Sequence, residues 1–220
     1  MKNLKQILLI ICIFFSINPA GAVEGTVEYN EVNIDYDILS PAHYRHLGDA
    51  FLTQAEKPNA TNEERRFFYG EALGSYITAT EINPDIIDLY GKIGYIYGRL
   101  HKYGLAQSYL NKGLNMDEKN PVVNFYFGGL TFDMQNFNKA LKYYKAAKKY
   151  GYPNRYAVLY RLGETNEKLG DLVKAREAYT AALALRPNNE ELKSKIRLID
   201  DLKYKNSQYY YRKKPFYYND

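Results

Sequence analysis

Four alanines, Ala72, Ala106, Ala140 and Ala175, stand 34, 34 and 35 residues apart. Four residues after each comes Tyr76, Leu110, Tyr144 or Tyr179, and three further on Ala79, Gly113, Ala147 or Ala182. Upstream, an apolar residue precedes a glycine at Leu47-Gly48, Ile93-Gly94, Phe127-Gly128 and Leu162-Gly163. Glycine makes up about 7% of average composition, so this register is not a product of composition. A fixed period of such length means stacked supersecondary units, none able to bury its apolar face alone. Small residues at the glycine and alanine positions let helices approach closely, and the large ones between them fill the gaps. Ser40-Pro41 and Asn120-Pro121 each put a capping side chain before a proline at the first helical position, and Pro84 and Pro187 end helices.

The pattern resembles the tetratricopeptide repeat, a 34-residue helix-turn-helix. The resemblance covers residues 41–189, with repeats at about 41–86, 87–120, 121–155 and 156–189. It implies an all-α fold, a right-handed superhelical solenoid of four helix pairs. Residues 190–204, with Leu192, Ile196, Ile199 and Leu202 on one face, read as the capping helix that a repeat array needs over its last apolar surface. Departures from the pattern are Asn124 and Asn166 in places usually aromatic, and Glu118 where a proline is usual. One interval breaks the period: Gly48 to Ala72 is 24 residues, where the later glycines precede their alanines by 12. Within this insertion Thr61-Asn62-Glu63-Glu64 reads as a capping box, which predicts a second helix lengthened at its start after a turn at Lys57-Pro58-Asn59.

The ends differ from the array. Residues 1–22, MKNLKQILLIICIFFSINPAGA, have two lysines, a short apolar run and a small-residue close. That is the layout of a signal peptide, and the run falls short of the roughly 20 apolar residues of a membrane span. The expectation is cleavage after Ala22 and export, to the periplasm of a Gram-negative cell and otherwise to the medium. Cys12, the only cysteine, leaves with the leader, so disulfides and thiol chemistry are excluded from the mature chain. Residues 23–40 form an acidic lead segment, and residues 205–220 a basic tail rich in tyrosine with no helical apolar stripe. The tail reads either as a plain terminus or as a contact with an anionic envelope surface. Export argues against nucleic acid as a partner.

Catalytic groups are scarce. The histidines are His43, His46 and His101. His43, His46 and Asp49 follow at three-residue steps, but no further ligand is signalled, so ordinary side chains are expected there rather than a metal site. There is no phosphate-binding glycine loop and no nucleophile elbow, which predicts a protein that is not an enzyme and holds no cofactor. The resemblance instead implies an interaction scaffold for a protein or peptide partner, with a concave groove lined by the first helices. Carried onto this chain, the groove positions include Arg45, Asp49, Gly91, Tyr95 and Arg99, then Phe125, Gly129, Phe132 and Asp133, and finally Tyr160 and Glu164. The places of the family's carboxylate clamp hold Arg45, Asp49, Lys92, Ala157 and Arg161, which do not reproduce it. Aromatic rings beside glycines would leave room for an aromatic-anchored or amphipathic segment. The same rings could pack within the superhelix, and a self-assembling envelope component or a small-ligand binding protein stay open as alternatives.

Overall fold

A computed structural model describes residues 40–213, with side chains as far as residue 202. The expected leader, residues 23–39 of the acidic lead segment and residues 214–220 of the tail lie outside the described residues.

Among the described residues every regular element is a helix. The first hairpin is α1 (Pro41–Ala55) with α2 (Asn62–Ile82), the second α3 (Ile87–Arg99) with α4 (Tyr103–Met116). The third is α5 (Pro121–Asp133) with α6 (Phe137–Lys149), the fourth α7 (Arg155–Lys168) with α8 (Leu172–Leu185). A last helix, α9 (Glu190–Lys213), packs on α8. Each pair packs closely, and successive pairs stack, with α3 and α5 in direct contact, so the array is an all-α repeat solenoid.

The sequence register is a packing code. A Cβ added to Gly48 would lie 2.5 Å from Cε1 of Tyr76, one on Gly94 2.5 Å from Cγ of Leu110, and one on Gly128 2.7 Å from Cδ1 of Tyr144. The ring of Tyr179 fills the same space before Gly163. Ala72, Ala106, Ala140 and Ala175 are fully buried one helical turn away on the same face of each second helix. Glycine on the first helix thus admits the large side chain of the second, and alanine beside it brings the backbones together.

The helix ends follow from local chemistry. Ser40 accepts from the backbone N–H of His43, Asn120 from Val122 and Val123, and Asn136, Asn154 and Asp171 cap α6, α7 and α8 in the same way. His101, Gln135 and Gly170, spaced at the repeat period, adopt positive φ of 58°, 59° and 78°. The residue after each then donates back into its first helix, Lys102 to the Tyr97 carbonyl, Asn136 to Thr131 and Asp171 to Asn166. These are left-handed C-terminal closures, a conformation that glycine adopts most readily.

The insertion goes mostly into α2. This helix starts 14 residues before its core Tyr76, whereas α4 starts seven before Leu110, so α2 is longer by about two turns. Its capping box forms, with Thr61 and Glu64 each accepting from the other's backbone N–H. Arg65 ties the extension down by donating to the carbonyls of Ala55 (3.2 Å), Lys57 (2.9 Å) and Ala60 (3.1 Å).

One expectation is corrected. The last helix does not stop near residue 204 but runs to Lys213. Leu192 and Ile199 bury its first half, and once a helix is nucleated each added residue gains a hydrogen bond without needing an apolar stripe. The unexpected Asn124 and Asn166 are buried but satisfied: Asn124 donates to the carbonyls of Asn120 (2.8 Å) and Glu118 (2.9 Å), and Asn166 to Leu162 (2.8 Å). Glu118, standing where proline is usual, therefore anchors the start of α5 through its backbone. No described helix is long and apolar enough to cross a membrane.

Candidate functional site

The first helices present three groups of side chains, the second and third joined through Tyr95. In the first, Asp49 of α1 accepts from the Tyr76 hydroxyl (2.5 Å) and from Lys92 of α3. Alongside, Arg45 lies 3.8 Å from Asp88, which also accepts from Asn120 at 2.9 Å. Arg45 and Asp49 therefore bridge α1 to α3. Asp49 is committed to these partners, and among the described residues no group of three or more His, Cys, Asp or Glu could hold a metal ion.

The second group centres on Glu56, just past the end of α1. It accepts from the Tyr69 hydroxyl and from the Tyr95 hydroxyl, the latter at 2.7 Å. Arg99 donates to the Tyr69 oxygen at 3.3 Å and lies 4.0 Å from Glu56. Burial, and then the carboxylate it donates to, push the Tyr95 phenol far above its ordinary range, so it is a fixed donor at any physiological pH.

The third group is a ladder of half-buried rings. Tyr95 packs on Tyr126 with centroids 5.0 Å apart, Tyr126 edge-on to Phe125 at 5.6 Å, and Phe125 stacks on Tyr152 at 4.1 Å and 11°. The space beside Gly91, expected to be open, is taken by Tyr126, whose Cδ2 would lie 3.2 Å from an added Cβ. Further along, Phe132 meets Phe137 edge-on at 5.3 Å and joins the packing between α6 and α7. Tyr160 donates to Glu191 of α9 at 2.7 Å, and Glu164 accepts from Arg161 at 2.9 Å.

Of the expected groove residues, Arg45 and Asp49 thus tie α1 to α3, while Tyr95, Arg99 and Phe125 fall into one chain of contacts from Glu56 to the loop after α6. Phe132, Tyr160 and Glu164 belong to local groups of the third and fourth repeats. Sequence reasoning missed Glu56, Tyr126 and Tyr152. Tyr126 stands one repeat beyond Lys92 rather than at a groove position, Glu56 borders the insertion and Tyr152 sits in a loop, so the repeat frame pointed to none of them. The phenols, carboxylates and cations here satisfy one another, an arrangement suited to holding a surface in shape rather than to moving protons.

Tetratricopeptide repeat family models match residues 87–120 and 130–190. No curated protein matches the sequence significantly. Among solved structures the chain is similar to pilF of Pseudomonas aeruginosa, with a TM-score of 0.58 and 21% identity over 76% of this chain and 72% of that one. It is also similar to MamA, with a TM-score of 0.54 and 18% identity over 82% and 96% of the two chains. A chain of the APC/C hetero-tetramer Cut9-Hcn1 gives a TM-score of 0.64 at 18% identity, over 76% of this chain and 31% of that one. At these identities the likeness is one of fold. Residues 87–120 and 130–190 thus carry tetratricopeptide repeats by sequence, and the helical array is similar in fold to solved proteins at low identity.

Proposed function

We propose that the chain is a non-catalytic scaffold of the cell envelope that holds a partner peptide or helix against its first-helix face. Tetratricopeptide repeats generally mediate protein–protein interaction. The observation that supports this face is the Tyr95–Tyr126–Phe125–Tyr152 ladder, whose rings are partly exposed yet already fixed by one another and, at Tyr95, by Glu56. Rings immobilised before binding lose little side-chain freedom on contact, and tyrosine offers area and a polar tip together. A fold neighbour occurs in a hetero-tetramer, which is consistent with a scaffold. The envelope setting rests on the signal-like layout of residues 1–22 and on the basic tail as a surface contact.

The test is capture of a partner by the immobilised chain from the envelope fraction of the producing cells. Tyr95→Ala together with Phe125→Ala should abolish capture while the far-UV circular dichroism spectrum stays helical. Capture unchanged in this variant would sink the assignment to this face.

A further inference from the structure

The insertion in the first repeat builds a second feature, joined to the ring ladder through Tyr69 and Arg99, which share Glu56 with Tyr95. Because α2 begins about two turns earlier than the other second helices, its start overhangs the turn between α3 and α4. A cleft of about 920 Å³ lies between them, within the size range of ligand and peptide sites. Its lining is cationic: Arg65 and Arg66 come from α2, Arg99 and Lys102 from the opposite side, and Asp133 is the sole carboxylate-bearing residue among those lining it.

The four cations are not in the same state. Arg65 is bound to backbone carbonyls and makes the overhanging wall rigid. Arg99 is held by Tyr69 and Glu56. The Arg66 and Lys102 side chains are exposed, with no hydrogen-bond or ion-pair partner among the described residues. Two unpaired cations over a floor that includes Tyr69 and Leu73 complement a segment that mixes carboxylates with an apolar side chain.

We infer that this cleft binds an acidic peptide segment of a partner protein, with a Glu or Asp side chain bridging Arg66 and Lys102. The guanidinium supplies charge-assisted, bidentate hydrogen bonds to the carboxylate, and the ammonium closes on its other side. The fixed wall lowers the ordering cost of binding. This goes beyond the first-helix face: it rests on the reading of the chain as a protein-binding scaffold, but not on the ring ladder.

The experiment is fluorescence anisotropy of the full chain with a fluorescein-labelled, glutamate-rich dodecapeptide carrying one leucine. Saturable binding is expected, and Arg66→Glu with Lys102→Glu should weaken it by about tenfold or more. Lys139→Glu with Lys142→Glu on α6, which makes the same change in net charge, should leave affinity within about twofold, as should Phe125→Ala. All of these positions but Phe125 are exposed, so circular dichroism should show intact helices in both charge variants. Absence of saturable binding to the parent chain would overturn the proposal. So would equal loss in the two charge variants, or loss in Phe125→Ala, which would move the probe to the ring ladder. A phosphoserine peptide of matched charge binding about tenfold tighter would overturn it in favour of a phosphate site. Because Phe125→Ala addresses the ladder and the Arg66 and Lys102 changes address the cleft, each site can fail without the other.

Discussion

Gly48 has no room for a methyl group, because the ring in front of it is fixed from behind by the Tyr76–Asp49 hydrogen bond. Gly48→Ala should therefore destabilise the fold by about 1–3 kcal/mol, the usual range for overpacking, as read from urea unfolding. The opposite change is favourable at Gln135, whose φ of 59° is the one that Gly170 adopts one repeat later. Gln135→Gly should raise stability by up to about 1 kcal/mol in the same assay, since the gain in the turn exceeds the entropy glycine adds to the unfolded chain. The first of these effects was half legible in the sequence. The glycine register named the sites of close approach, but nothing in a one-dimensional pattern shows that Tyr76 and Tyr179 also hydrogen-bond carboxylates at Asp49 and Glu167. That detail depends on which way a ring points once the helices are docked.

Arg65 is to the first hairpin what the left-handed turns are to the others. The long α1–α2 connection has no positive-φ closure, and the guanidinium instead gathers the carbonyls of Ala55, Lys57 and Ala60. Arg65→Met keeps much of the packing volume but leaves partly buried acceptors without a donor, which should cost about 1–3 kcal/mol. Hydrogen exchange should localise the loss, with faster exchange over residues 55–66 and little change in α5 to α8. Among the elements, the existence and pairing of the helices were readable from the glycine, alanine and proline spacing, and the lengthened α2 from its capping box. The reach of α9 to Lys213 was not, because propagation from a docked segment needs no pattern in the sequence that follows. The ring ladder was legible only in part. Tyr95 and Phe125 occupy positions that the repeat defines, whereas Tyr126 and Tyr152 join them through tertiary packing and a loop.

Across the whole molecule, tyrosine is both the core residue and the surface residue, which gives the fold a distinctive response to alkali. Burial, aided by neighbouring carboxylates at Tyr76, Tyr95 and Tyr179, raises the pKa of these phenols above the ordinary value near 10, and burial does the same at Tyr126 and Tyr144. A group with a raised folded pKa lends its full stability below the unfolded value and loses it above, as the unfolded chain alone ionises. The urea midpoint should stay level to about pH 9.5 and then fall, with a block of phenolate absorbance appearing only on unfolding. A midpoint that is flat to about pH 11 would contradict the buried phenols. The same rings carry the functional account, in which a pre-packed aromatic surface on the first helices receives a partner. The direct measurement is site-specific photocrosslinking in the producing cells, with benzoylphenylalanine placed singly at Tyr126 or Tyr160 on the first helices and at Gln107 or Glu177 on the second. Adducts with one partner protein from the first-helix positions, and none from Gln107 or Glu177, are the predicted result; adducts from the second-helix positions alone, or none from either set, would contradict it.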